Sequence, residues 1–535
     1  MHAHLPFIRH PEYENFLEET WLFEAISESY IPLIRMLDKL DDDGIPAGLT
    51  ISISSSLATM LNDELLQKHY VRYLENRIEL GKREVKRTIR NRKYSRVAKM
   101  YLRMFRKNLE LYSEVYKRNI LAEFRRHQKK GNIEIITTPG TSPFLPFYEH
   151  YPGNIHAHLE ATRESYNRNF GEDLQGIWLS GGGYYPGLEE ILKKSHLKFF
   201  YLDNSAVLRA KDYSGSGTSI PFETPNGVVF FVQDYELVNL VWSDTHGYPG
   251  NPDYRNFDRD IGHELDFEYI CPYINSENFR INTGYKYYAI GTDTADIPAT
   301  AQRIYIPAHA SKMAVGHAGH FEELLHQRMA NTNTPTEPIF TLLFSAELFG
   351  HWWFEGIQWL EAVIRNFSRE NSEITLVTPS AYLAENPVKT TVSPAFSSWG
   401  TGYPEVLLNH QNDWIYRHVH AGIERMVELA ERFQNTQGFN RRALNQAARE
   451  ILLAQTLDWA FIMRSGISEE YARARICEHI GNFYQIHDAL SNGNVQTTWL
   501  LQVEEKNNIF PYIDYSTFGA AGGFRDSRRI IDSRC

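Results

Sequence analysis

The sequence predicts an α/β protein: a barrel or parallel sheet, interrupted by a block of helices and followed by a helical C-terminal region. Three observations predict it. Short apolar runs that stop at polar or turn residues alternate with helical stretches. Residues 64–130 carry apolar residues at three- and four-residue spacing and contain no proline. From about residue 410 the pattern is helical throughout.

The elements follow in chain order. "GLTISISSSLATML" (48–61) opens as a β-branched strand. "LLQKHYVRYLENRIEL" and "AKMYLRMFRKNLELYSEVYKRNILAEFRRH" are long helices, with Gly81 and the polar "NRKYS" as expected breaks. Strands return at 132–140, 176–180, 198–203, 227–234, 338–347 and 373–380. Helical "NIHAHLEATRESYNRNF" and "PGLEEILKKS" flank the run at 176–180. In barrels built this way the acting residues sit at the C-terminal ends of strands. The expected division is a barrel from 1–62 and 131–405, a basic helical insertion at 63–130, and a C-terminal helical domain at 406–535.

A chain of 535 residues is too long for one ordinary core. Its formal net charge of −11 hides an asymmetry: residues 68–130 hold 21 Lys or Arg against 6 Asp or Glu, and the rest holds 34 against 60. Such helices admit nucleic acid or an acidic protein as partner. No nucleic-acid motif accompanies them, so a solvated charged face is expected and nucleic acid is not, while a protein partner on 68–130 stays open. Cys271, Cys477 and Cys535 are far apart, which is neither a disulfide framework nor a metal-binding set. No apolar run approaches the roughly 18–20 residues that span a bilayer, and "MHAHLPFIRHPEYENF" has no signal-peptide pattern. A cytoplasmic protein without a membrane segment is expected. No metal or cofactor is expected either. His2 and His4 lack further ligands at a recognisable spacing, His320 and His326 are six apart, and His418 and His420 do not face each other on a helix. The 31 Tyr, 30 Phe and 10 Trp fit a large aromatic core or rings that stack on sugars.

One stretch poses a problem. "GIWLSGGGYYPG" (176–187) is a strand that delivers three glycines to the place where a barrel carries its chemistry. It belongs to a set with "HAHLPFIRHPE", "VWSDTHGYPGNPDYRNFDRDIG", "PIFTLLFSAELFGHWWFEG", "SSWGTGYPEVLLN", "NDWIYRHVH" and "DWAFIMRSGISEEYARARICEHI". Together, over nearly the whole chain, these resemble glycoside hydrolase family 57, and within it the 1,4-α-glucan branching enzymes. The resemblance implies an incomplete (β/α)7 barrel with a helical insertion and a C-terminal α-helical domain. It also implies a retaining mechanism, which needs two carboxyl groups about 5–5.5 Å apart.

Both are missing from the matching motifs. The family nucleophile is the Glu of W-L-P-E-C-[AG]-Y, and Gly181 stands there. The acid/base is the Asp of D-A-E-L-F-G-H-W-W-F-E-G, and Ser345 stands there. Ser142 replaces the His of T-H-G-F-L-P, and Leu407 replaces a Trp. The resemblance therefore implies a catalytically impaired homologue that binds α-glucan or maltooligosaccharides, through His2, His4, Trp21, Trp178, Tyr184, Trp399 and Trp459. One alternative is an active enzyme with relocated carboxylates, Glu347 first, with Asp244 and His246 behind it. A second is an interaction protein acting through the basic insertion. Trp352 and Trp353 are expected to pack in the helix after their strand. The family also carries an apolar strand before H-x-H-L-P, so the expected start of this chain lies upstream of Met1.

Overall fold

The computed structural model describes residues 1–519 except 216, 275–278, 292–302, 333, 335–336 and 400–403. Cys535 and the end of the expected C-terminal domain therefore lie outside the described residues.

The strands are short and mostly parallel. β1 (His2–Ala3), β2 (Leu49–Ile53) and β3 (Ile133–Ile136) form one parallel sheet in that order. β4 (Gly176–Ile177), β5 (Phe199–Leu202), β6 (Phe222–Glu223) and β7 (Val229–Val232) form another, in the order β4-β5-β7-β6. Only β6 runs antiparallel to its neighbour. Neither sheet closes as a regular ladder. Isolated bridges join them instead: Thr137 to Ile177, Gln233 to Thr341 and His2 to Ser345. Through these, the segment 341–345 links β7 to β1 and completes a seven-membered ring, the incomplete (β/α)7 barrel that the motifs imply.

The strand registers explain the interior. β5 is buried along its whole length, as a strand covered on both faces must be. Side chains alternate in direction along a strand. Phe199, Tyr201 and Phe231 gather with Ile136 and Trp178 into one apolar cluster. Phe200, Leu202, Phe230 and Val232 join the larger core on the other side.

Two expected features are corrected. "EITLVTPS" forms no ladder: exposure alternates along 373–378, and Pro379, which has no N–H to donate, opens a helix to Glu385. Gly81 breaks nothing. The first six helices are α1 (Glu19–Ala25), α2 (Ile31–Asp42), α3 (Ser55–Asn62), α4 (Glu64–Arg87), α5 (Arg92–Glu110) and α6 (Ile120–Lys129), and α4 runs straight through Gly81. The Tyr285 hydroxyl, which donates to Arg77 O (2.8 Å), occupies the place where a Cβ at 81 would be. Glycine is there for the close approach. The break falls at Thr88–Asn91, where Asn91 caps α5 by accepting from Lys93 N (3.2 Å).

After residue 413 the helices Trp414–Arg432, Gly438–Leu453, Leu457–Ser465, Glu469–Ser491 and Thr497–Lys506 pack together. Glu450 and His479, both wholly buried, pair at 2.7 Å inside this group. It docks on the loop after β3. Leu457 N donates to Ser142 O (3.2 Å), Asn154 and Gln455 exchange amide hydrogen bonds (2.7 and 2.9 Å), and Pro143 bridges Thr456. No described helix is long and apolar enough to cross a membrane.

Candidate active site

The C-terminal ends of the ring strands converge on one rim, and His4 stands at its centre. Its Nε2 lies 2.7 Å from Asp458 Oδ2, its Nδ1 lies 2.8 Å from Ser54 Oγ, and Ser142 Oγ is 3.3 Å from the same nitrogen. Its backbone N–H points at Glu347 Oε1 (3.3 Å). Three separate segments thus meet on one imidazole, and a fourth on its backbone. Burial pushes the His4 pKa down, but the Asp458 carboxylate and then Glu347 outweigh that, and the net shift is upward. Burial pushes Asp458 up, and His4 outweighs it in turn, so the acid stays ionised below its ordinary range. His2 behaves oppositely. It stacks on Trp178 (4.9 Å) and His4 (5.5 Å), and burial plus the neighbouring His4 charge drive its pKa well down, so it stays neutral.

Glu347 is buried and tied at both oxygens. Oε1 accepts from the Tyr30 hydroxyl (2.6 Å), and Oε2 accepts from Ser345 Oγ. Tyr30 comes from a π-helical turn, Ile26–Tyr30, of a kind that is rare and concentrates at functional sites. The same turn aims Glu28 at Arg255 (3.2 Å) and His351 (2.8 Å). Burial raises the Glu28 pKa, yet the Arg255 guanidinium and the hydrogen bond from His351 hold it down to about 2.

Another part of the rim is apolar. Gly181 has φ +65°, which L side chains rarely adopt, and a Cβ there would sit 3.0 Å from the Phe144 ring and 3.6 Å from Leu407. Gly183 meets the same ring at 2.7 Å, and Gly182 meets Trp399 at 2.9 Å. Trp399 N donates to Gly181 O (2.9 Å). The three glycines let two aromatic rings lie directly on the backbone. Phe144 and Leu407 are buried. The cavity behind Gly182, lined by Trp178, Asp203, Gln233 and Trp399 among others, measures about 10 Å³. The one beyond Phe144, toward Trp459, is of the same size. Each is room for about one water.

The expected sugar-contacting residues divide by exposure. Trp399 is 48% exposed and Trp21 half-buried beside Tyr471. His2 and Trp178 are buried and His4 is largely so, so at their strand ends they offer little ring surface to a sugar. Tyr184 and Trp459 are wholly buried, with Tyr184 donating to Glu189 (2.5 Å) and Trp459 Nε1 to Leu453 O (3.0 Å). A ring without an exposed face cannot stack on a sugar, so these two support the rim from behind. Neither tryptophan lies in the helix after the strand, which begins at Gly356: Trp353 is buried in the preceding turn, and Trp352 is 43% exposed, edge-on to Trp242. Asp244 and His246 are exposed on the turn after helix Tyr235–Trp242, with no hydrogen bond to the His4–Glu347 group. Sequence reasoning missed Asp458 and Tyr30. Asp458 had one signal, an acid beside Trp459 in a motif already singled out. Tyr30 had none, since a π-turn leaves no pattern in apolar spacing. Among the described residues no group of three or more His, Cys, Asp or Glu could hold a metal ion.

Comparison with known proteins agrees with this architecture. Residues 1–394 match glycosyl hydrolase family 57, and residues 418–518 match the C-terminal region of 1,4-alpha-glucan branching enzyme. The 1,4-alpha-glucan branching enzyme TK1436 of Thermococcus kodakarensis is 27% identical over 95% of this chain and 76% of that protein. Among solved structures, the alpha-amylase AmyC of Thermotoga maritima is 38% identical with a TM-score of 0.91, covering 98% of both chains. The family 57 branching enzyme of Pyrococcus horikoshii is 29% identical with a TM-score of 0.86, covering 98% of this chain and 96% of its own. With a family match over most of its length, this chain belongs to glycosyl hydrolase family 57.

Proposed function

We propose that this protein is a catalytically impaired, branching-enzyme-like member of the family that holds α-1,4-glucan at the barrel mouth without cutting it. One observation carries the reading: Gly181, aligned with the family nucleophile, has Phe144 and Leu407 packed against its α-carbon. A double displacement needs an anionic nucleophile and a proton-shuttling acid, and that strand end offers backbone and apolar rings. Ser345, aligned with the acid/base, donates its hydroxyl to Glu347. Glu347 in turn braces Tyr30, Ser345 and the His4 backbone. Trp399 and Trp21 keep ring surface for a glucan.

A second reading has its own support. Asp458 and Glu347 both contact His4, which leaves two carboxylates and an imidazole on one rim. Relocated chemistry on the glucans that the relatives' names describe would use this group. Incubation with amylose, followed by iodine absorbance and by new α-1,6 ends, separates the two. No change is expected at protein concentrations where a family member reaches completion. Turnover lost in both Glu347→Gln and Asp458→Asn would establish the relocated pair instead.

A further inference from the structure

A strongly basic stretch lies on the helical hairpin of α4 and α5. Between residues 82 and 107 there are twelve Lys or Arg and a single acid, Glu84. Glu84 is buried and committed to Arg87 (2.6 Å) and the Tyr287 hydroxyl (2.7 Å), so it neutralises little of the outer face.

The basic residues of α5 are ordered. Arg92, Arg96, Lys99, Arg103 and Arg106 follow at steps of four, three, four and three, which places them on one helical stripe. All five are exposed. The opposite face, with Ala98, Tyr101, Leu102 and Phe105, is buried against the protein. None of the five makes an ion pair or hydrogen bond with a side chain among the described residues, whereas Lys82, Arg87 and Lys107 nearby each hold a glutamate. Five like charges at this spacing repel one another, and among the described residues no carboxylate pairs with them. The helix is held in place by its buried face, so the cost is sustained by packing.

The arrangement is a line of cations roughly 21 Å long, with one charge every 4.5–6 Å. Four of the five are arginines, whose planar fork pairs bidentately with phosphate oxygens. A line matches an extended phosphate backbone. A membrane surface would be met by a broad patch with inserted apolar side chains, and Ile89, at the hairpin tip, is the one large apolar residue exposed between 82 and 107. No exposed aromatic ring accompanies the stripe, so a strand bound here is held through its phosphates alone and none of its bases is read.

We infer that the outer face of α5 is a docking surface for the phosphate backbone of single-stranded nucleic acid, bound without sequence preference. The sequence alone favours a solvated face; the single-stripe alignment and the absence of partners are what the tertiary structure adds. This inference does not depend on whether the barrel turns over glucan.

The test uses the full chain and a fluorescein-labelled 20-nucleotide oligouridine, with anisotropy followed from 50 to about 300 mM NaCl. With five phosphates neutralised on a single strand, log K should fall against log salt with a slope near −3.5. The triple variant Arg96→Glu, Lys99→Glu, Arg103→Glu should fold like the parent by circular dichroism, because all three side chains are exposed, and should lose at least tenfold in affinity with a shallower slope. Charge reversal at Arg464 and Lys211, exposed elsewhere, should leave binding unchanged. Absence of binding at 50 mM salt would overturn the inference, as would equal binding by the triple variant. Binding to vesicles rich in phosphatidylserine but not to the oligonucleotide would overturn it in favour of a membrane.

Discussion

Two parts of the same rim are built on opposite principles. Around His4 and Glu347, polar groups from five segments are hydrogen-bonded to one another, and every charge has a named partner. Around Gly181 the contacts are apolar rings laid on bare backbone. The polar side is demanding, because a buried charge that loses its partner is costly. The apolar side is demanding in another way: its close approaches leave no room for a side chain. The contrast teaches that one rim can be held together in two ways, by paired charges and by rings packed on backbone. Here one part is packed with aromatic side chains and the other holds a hydrogen-bonded network.

The sharpest way to break that contrast is to put a carboxylate into the apolar part. Gly181→Glu combines a left-handed backbone, worth roughly 1–2 kcal/mol for a residue with a Cβ, with an unpaired charge beside Phe144 and Leu407, worth roughly 1–3 kcal/mol or more. A total loss of about 3–5 kcal/mol is expected in urea unfolding. Gly181→Ala should show the backbone part and the close contact of its Cβ with Phe144 (3.0 Å), without the charge. If Glu proves no worse than Ala, the region around Gly181 is open and the packing argument fails.

The polar side is tested at the His4–Asp458 pair. Both side chains are largely buried, so Asp458→Asn is expected to cost about 3 kcal/mol. The pH dependence gives the sign. The raised folded pKa of His4 supplies stability that is fully present below its ordinary 6.5 and lost as pH rises through the folded value. The lowered folded pKa of Asp458 supplies stability present above its ordinary 3.8 and lost as pH falls through the folded value. The wild type should therefore exceed Asp458→Asn by most between about pH 4 and 6.5, with the gap narrowing at alkaline pH. A gap independent of pH from 5 to 9 would mean the aspartate acts through packing alone.

The smallest expected effect concerns the glucan. Trp399 is the most exposed ring at the rim, and Trp399→Ala should weaken binding by about 1 kcal/mol, or roughly fivefold, in affinity electrophoresis through amylose or glycogen. Identical mobility of wild type with and without polysaccharide would remove glucan from the proposed function.

Much of this molecule is legible in its residues alone. Alternation of apolar runs and helices reports burial along each element, a local property, so the parallel strands, α4 to α6 and the terminal helices can be read from it. Motif order carries the family, and the three glycines stand out as residues without side chains at a strand end. The limits are equally physical. "EITLVTPS" has the apolar alternation of a strand, but ladder pairing depends on a neighbour that the sequence does not display. Gly81 reads as a break because its reason lies 204 residues away, in Tyr285. Tyr184 and Trp459 read as sugar platforms because a ring's chemistry is the same whether it is exposed or buried.

The sequence by itself determined the fold class, the family and the identity of the residues at each strand end, because these follow from local pattern and from long motifs. Only the tertiary structure decided that Phe144 and Leu407 lie on Gly181, that Tyr30 and Ser345 tie down Glu347, that Asp458 reaches His4 across 454 residues, and that the five cations of α5 face solvent without partners. Each of these is a contact between groups distant in the chain. Contacts of that kind are fixed by how elements pack, and no local periodicity encodes them.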